Sequence, residues 1–402
     1  MASTPPPPFD DPSLSDPLEC PPLRWGLIGC GRVCQDFTQA LKHLPSAQVV
    51  ACSARDAARA AEFAQKHKIK KSYGSYDELL ADEEVQCVYV GNLHVFRREI
   101  GEKCLQANKH VLLEKPFACN PEDTQYLLDL AKEKNLFIME GMWTRFFPAV
   151  EQARRLVFGD GKGEAGVLGE VVSVITEFNF NASDSDDYPT SFFYNRKLGG
   201  GATYLVAPYP FAAATLFFGG AQPDTIKAVG QVDEKTGVDL QGALIMTFPP
   251  TSTMPPALDP ENKNENTAKL PGAGTAMCSY GFLGESEEQT TVIGTKGRLV
   301  IETPAHCPTK VRLTLKAAGR GQHAGETLFD YPLPEETEEI KSTGGFVYPN
   351  SAGFMYEAAA VARCIAAGKK EVPQFTHAET YSNAKLIDES RKQLGVKPID
   401  QD

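Results

Sequence analysis

Regular patterning begins at Leu23, where short apolar runs alternate with stretches of helical period. The runs at 24–28 (RWGLI), 48–53 (QVVACS), 85–90 (VQCVYV), 110–114 (HVLLE) and 136–140 (LFIME) lack the in–out alternation of a half-solvated strand. Strands buried on both faces read this way. Between them, 57–67, 97–107 and 122–134 space their apolar residues as helices do, and a helical stretch through Phe37, Ala40 and Leu41 follows the first run. Strand and helix alternating at this interval predict a doubly wound parallel sheet over 23–148. Past 149 the pattern changes. Strand-like stretches at 169–180, 225–232, 240–248, 275–283, 289–292 and 299–302 follow one another with little helix between, predicting a large, open, mostly antiparallel sheet. Amphipathic helices at 354–367 and 378–394 close the chain. The expected class is α/β, with a parallel-sheet domain at 23–148 and an α+β domain at 149–402.

Two segments stand outside this pattern. Residues 1–22 are proline-rich and acidic and read as a disordered arm; 249–274 is a polar, proline-rich interruption that reads as an inserted loop.

Composition narrows the partners. The 402-residue chain has a formal net charge of -12 and no cluster of Lys and Arg, which argues against nucleic acid and anionic membrane. No apolar run reaches the ~18 residues that span a bilayer, and no secretory leader is evident. Ten cysteines without a CxxC pair read as reduced thiols of a cytoplasmic protein, and seven scattered histidines offer no metal spacing, so no metal is expected.

The candidate chemistry lies at the strand ends. After the first run comes Gly29-Cys30-Gly31-Arg32-Val33-Cys34, close to the GxGxxG fingerprint of a Rossmann dinucleotide site. Gly29 allows a tight turn, Gly31 the approach of a pyrophosphate, and the helix beyond supplies free N–H groups. The second strand ends Ser53-Ala54-Arg55-Asp56. A carboxylate for the ribose 2′-hydroxyl is missing, and Arg55 suits a 2′-phosphate, which favours NADP over NAD. The third and fourth strands end in Asn92 with His94 and in Glu114 with Lys115 and Pro116, which converge beside the nicotinamide. Pro116 is a candidate for a cis bond.

Together, the glycine loop, HVLLEKP, MEGMWTRFFPA, GGGATYLVAPYPF and TVIGTKGRLVIE resemble the glucose–fructose oxidoreductase, inositol dehydrogenase and rhizopine-catabolism family. The likeness runs from about Leu23 to Ile399. The Ser-Ala-Arg-Asp strand end and WTRFFP resemble a branch that uses NADP on a trans-dihydrodiol or on D-xylose. The resemblance implies Lys115 and Tyr209 as the proton-transfer pair, with Glu114 orienting. It also implies Arg32, Val33, Trp143 and Arg145 beside the cofactor, a substrate pocket including Trp143, Phe147 and Arg196, and a homodimer formed through the second sheet. One departure stands out. Leu205 occupies a position where the family usually places an aspartate, and its side chain cannot accept a hydrogen bond. Arg97 replaces a second histidine often found near His94. Leu205 motivates an alternative reading, a nucleotide-binding regulator of the same fold with impaired catalysis.

Overall fold

The apolar runs of the first half pair edge to edge. In the computed structural model, which describes residues 16–159, 165–182, 187–249, 274–317 and 323–399, the first six strands are β1 (Leu23–Ile28), β2 (Ala47–Ser53), β3 (Lys71–Tyr73), β4 (Cys87–Val90), β5 (His110–Glu114) and β6 (Ile138–Gly141). They lie in the order β3-β2-β1-β4-β5-β6, and every pairing is parallel. The order reverses between β1 and β4, and the open crevice of such a sheet lies at the carboxyl ends of those strands.

Helices α1 (Arg32–Leu41), α2 (Ala57–His67), α3 (Tyr76–Ala81), α4 (Arg97–Gln106) and α5 (Pro121–Glu133) make the crossovers. Their starts are written locally: Asp56 caps α2 by accepting the Ala58 N–H at 2.9 Å, and Asn120 caps α5 through the Asp123 N–H at 2.7 Å with proline at the first turn. On α1, Phe37 stacks on Tyr89 of β4 with ring centroids 3.8 Å apart. This contact fixes the helix that follows the glycine turn against the middle of the sheet.

The second sheet has eight strands: β7 (Val171–Asn179), β8 (Thr225–Val232), β9 (Asp239–Phe248), β10 (Gly274–Gly281), β11 (Thr290–Gly294), β12 (Gly297–Ile301), β13 (Lys310–Lys316) and β14 (His323–Asp330). Their order is β14-β13-β12-β11-β7-β10-β9-β8. All neighbours are antiparallel except β7 with β10. The inner face, with Val174, Leu244, Met246, Ala276, Cys278 and Val292, is buried. Helices α6 (Pro148–Phe158), α7 (Ala202–Leu205), α8 (Pro208–Phe217) and α11 (His377–Leu394) accompany this sheet, with the short α9 (Glu338–Ser342) and α10 (Phe354–Ala366) preceding α11. α8 (PYPFAAATLF) is apolar all round and buried along nearly its whole length, as a helix without a polar face must be.

The outer face is different. Ile175, Ile245 and Met277 stay 42%, 52% and 41% exposed although they are register neighbours across β7, β10 and β9. The three form a contiguous exposed apolar stripe.

Packing does not respect a cut at residue 148. After β14 the chain returns to the first sheet, where the Asp36 carboxylate of α1 accepts the N–H groups of Val347 (2.8 Å) and Tyr348 (2.9 Å) and the Ser351 hydroxyl (2.6 Å). Phe354 of α10 then stacks on Trp143 at 4.3 Å. Residues 16–22, expected in the arm, lie against α10: Arg363 donates to the carbonyls of Pro17 and Glu19, and Leu18 and Cys20 pack on the core. The rest of the arm and 250–273 of the inserted loop lie outside the described residues. Among those described, no helix is long and apolar enough to cross a membrane.

Candidate active site

Gly29 follows β1 at φ +102, and a Cβ there would meet the Asn92 side chain at 2.7 Å. Glycine is therefore required on both backbone and steric grounds. Gly31 starts α1, and nothing lies within 4 Å of where its Cβ would stand. That open approach to a helix N-terminus fits a pyrophosphate. Arg32 opens α1 beside the Tyr348 phenol, and Val33 packs against Gly91. Asn92 donates to the Tyr76 hydroxyl at 2.8 Å, while its buried carbonyl oxygen has no hydrogen-bond partner. Arg55 is exposed, with its guanidinium 5.3 Å from the centre of the Phe96 ring. Arg59, which sequence reading did not single out, donates to the Cys30 carbonyl at 3.3 Å and adds a second guanidinium beside the glycine turn.

The fourth strand end is tied down tightly. Glu114 accepts the Tyr89 hydroxyl at 2.8 Å and the Lys115 N–H at 3.1 Å. The Lys115–Pro116 bond is cis. Arg97, seen in the sequence only as a replaced histidine, is buried and donates to the carbonyls of Asn92, Glu114 and Pro116. It joins the ends of β4 and β5. Glu140 accepts the Phe117 N–H at 3.1 Å, and burial pushes its carboxyl up to about 8.

Lys115 and Tyr209 meet. The Lys115 Nζ lies 4.3 Å from the centre of the Tyr209 ring and donates to the Leu205 carbonyl oxygen at 2.7 Å. The Leu205 side chain offers no acceptor, as expected, but the main chain at the end of α7 does. Lys115 is lowered to about 8, chiefly by desolvation and also by the Arg97 charge, against the opposing pull of Glu114. Tyr209 is pushed well above the ordinary phenol value, first by burial and next by the Glu114 charge; the adjacent Trp143 indole works the other way, although its N–H makes no well-aligned hydrogen bond.

Asp239 of β9 positions the segment that presents the Leu205 carbonyl and Tyr209, accepting the Thr203 N–H and hydroxyl, each at 2.6 Å. Gly201 beside it has φ +114, and a Cβ there would meet the Asp239 carboxylate at 2.4 Å. The glycine run is thus the price of bringing α7 close to β9.

Other expected residues are placed elsewhere. Ser53 is fully buried and turns its hydroxyl toward the Leu27 carbonyl, while its own carbonyl accepts the Gly29 N–H at 2.9 Å; it holds the turn from beneath. His94 is buried against Gly199 and Tyr204, and burial holds its imidazole well below the usual range, hence neutral. Arg145 is occupied by Glu379 at 3.0 Å and by the carbonyls of Ala212 and Gln374. Phe147 is fully buried between Trp143 and Tyr356. Arg196 donates to the Pro398 carbonyl. The structure does not bring Arg145, Phe147 or Arg196 to the Lys115–Tyr209 pair; each is used in packing or in tying segments together. His306, by contrast, does reach the pair. Its ring centroid lies 5.3 Å from that of Tyr209, on a loop that carried no recognisable pattern.

Residues 23–142 match the family model described as "Oxidoreductase family, NAD-binding Rossmann fold", and 161–254 match the GFO/IDH/MocA C-terminal domain. A trans-1,2-dihydrobenzene-1,2-diol dehydrogenase of Danio rerio is 34% identical over 378 residues, 93% of this chain and 97% of that protein; the Homo sapiens protein of that name is 33% identical over 376 residues, covering the same shares. Among solved structures, levoglucosan dehydrogenase with NADH and levoglucosan has a TM-score of 0.72 at 18% identity, covering 93% of this chain and 97% of that one. A 3-ketoreductase from Actinomadura kijaniata with NADP and TDP-benzene has a TM-score of 0.70 at 22% identity, covering 93% and 98%. The chain belongs to the GFO/IDH/MocA oxidoreductase family.

Proposed function

We propose that the protein is an NADP-dependent oxidoreductase that moves a hydride between nicotinamide and a CH–OH carbon of a cyclic diol or sugar. The observation that carries this reading is the approach of the Lys115 ammonium to the Tyr209 ring, next to a glycine turn open at Gly31. The names of the relatives support a trans-dihydrodiol as substrate, with D-xylose as the sugar to compare. When bound, the nicotinamide accepts or supplies the hydride. Tyr209 takes the hydroxyl proton in oxidation and returns it in reduction. Its phenolate is disfavoured by burial, so a cation is needed close by, and Lys115 is that cation. Glu114 keeps the lysine backbone in place and raises its proton affinity. Gly29, Gly31, Arg32, Val33 and Asn92 surround the pyrophosphate side, and Arg55 with Arg59 meets the 2′-phosphate. The alternative of an impaired regulator loses its motive, because Lys115 retains an acceptor at Leu205.

The uncovered stripe Ile175–Met277–Ile245 supports a homodimer through the second sheet, and reduced thiols support a cytoplasmic location.

The reading is tested by following nicotinamide absorbance with a trans-dihydrodiol or D-xylose and NADP. Tyr209→Phe lowers kcat by roughly a hundredfold or more while NADP still binds; unchanged turnover removes Tyr209 from the mechanism. Carbonyl reduction loses activity above about pH 8 as Lys115 deprotonates. Because the Glu114 charge raises that pKa, Glu114→Gln moves the break to lower pH, and a break that stays put would show that another group sets it. Arg55→Ala raises the Kd for NADP about ten- to a hundredfold and leaves NAD nearly unaffected, measured by calorimetry; equal effects would place Arg55 away from the phosphate. Ile245→Asp with Met277→Lys converts the dimer to monomer in sedimentation; an unaltered sedimentation coefficient rules this face out.

A further inference from the structure

A second polar pair stands beside Tyr209, and the roles described so far do not use it. His306 lies in the loop between β12 and β13 and Glu288 in the loop between β10 and β11. The Glu288 carboxylate accepts the imidazole Nδ1–H and, at 3.4 Å, the His306 backbone N–H. A carboxylate can only accept, so this contact fixes the proton on Nδ1 and leaves Nε2 as the basic nitrogen. Nε2 faces the Cys307 thiol at 3.3 Å; burial keeps that thiol protonated, and therefore a donor.

The ring is also held by its faces. It stacks on Phe178 with centroids 4.5 Å apart and planes 10° apart, and lies 5.3 Å from Tyr209 and 5.9 Å from Trp143. Tyr209 is thus bounded by Lys115, Phe178 and His306, three groups that arrive from different strand ends.

Packing alone does not call for this arrangement. A phenylalanine would stack on Phe178 equally well without removing an imidazole and a carboxylate from water, which is unfavourable unless the geometry is used. Glu288 also sits at φ +53, a left-handed conformation that side chains with a Cβ adopt at a cost. It is held there by the Ala305 N–H on its carbonyl at 2.9 Å and by its own N–H donating to the Ser286 hydroxyl at 3.3 Å. Local strain that places a carboxylate on a histidine beside a reacting group is the kind that functional sites retain.

We propose that His306, oriented by Glu288, is a positioning residue for Tyr209: it holds the phenol opposite Lys115 and gives it a neighbour able to carry positive charge. The inference rests on the proton-transfer role given above to Tyr209. A carboxylate that sets the tautomer and orientation of a histidine also operates in hydrolase triads.

The test uses the full-length protein with NADP and a dihydrodiol. His306→Phe keeps the stacked ring and removes the pair, and Glu288→Gln keeps the shape and removes the charge. Each is expected to lower kcat about tenfold with the KM for NADP unchanged, and the double variant to be no worse than the single ones, as for residues acting as a unit. His306→Asn, which restores a donor where Nδ1 stood, should recover part of the loss. Wild-type kcat in His306→Phe, or losses that multiply in the double variant, would overturn the proposal. If His306→Phe does not fold, Glu288→Gln decides: normal kcat overturns the inference and reduced kcat at unchanged KM supports it. Tyr209→Phe, run alongside, separates the two claims. An inactive Tyr209→Phe with a normal His306→Phe removes only this inference, and a fully active Tyr209→Phe removes both.

Discussion

The contact on which the arrangement depends is the hydrogen bond from the Lys115 ammonium to the Leu205 main-chain carbonyl, 2.7 Å long. It joins the end of a strand in the parallel sheet to a helix packed on the second sheet. The ammonium has no carboxylate within ion-pair distance among the described contacts; it rests between a neutral carbonyl and the face of a phenol ring. A cation in such surroundings is poorly compensated. Its proton affinity falls accordingly, to about 8. Since an exposed lysine titrates near 10.5, the charged form opposes folding at neutral pH, and this opposition fades as pH rises from the folded to the unfolded value. At neutral pH the lysine therefore keeps its proton, but holds it far less firmly than an exposed lysine would. The clamp of Arg97 on three carbonyls and the anchoring of Thr203 by Asp239 supply the rigidity that makes this possible.

Much of this was legible in the sequence because it repeats. Buried strands of a parallel sheet carry uninterrupted apolar runs, and every such run found its place in the sheet. The strand-end groups were readable for the same reason: a charged residue that follows an apolar run must leave the sheet at its edge. α8 was not readable, since a helix buried on all sides has no period, and Tyr209 was reached through family resemblance. The short β3 and α3 and the edge strand β14 also lack a strong pattern. Arg145 and Arg196 misled for a common reason. Residue type tells that a guanidinium needs acceptors, but only the fold tells whether they are a ligand's or, as here, Glu379, Gln374, Ala212 and Pro398 of the chain itself. Ser53 stands at the carboxyl end of β2, but its hydroxyl is buried and turned toward the Leu27 carbonyl, which residue type alone does not tell.

Leucine at position 205 looks like damage only if side chains are the sole source of acceptors. An aspartate there would bring a negative charge to Lys115 and raise its proton affinity, holding it as a firm cation through a wide pH range. A carbonyl orients the ammonium equally well in geometric terms while adding only a dipole. The lysine is then left near the midpoint of its titration in mildly alkaline solution, with Glu114 as the principal group holding it protonated. The same substitution removes a hydrogen-bonding anchor for a polyhydroxylated ligand and leaves an apolar surface beside Tyr209, where Phe178 and Trp143 already present aromatic rings. A ring bearing two hydroxyls needs fewer polar partners than a sugar bearing four or five, and each unmatched hydroxyl disfavours binding. On the proposed reading, leucine in place of aspartate at 205 thus acts on both halves of the reaction at once: it leaves the lysine with the main-chain oxygen alone and so loosens its proton, and it favours the less polar of the two substrate classes.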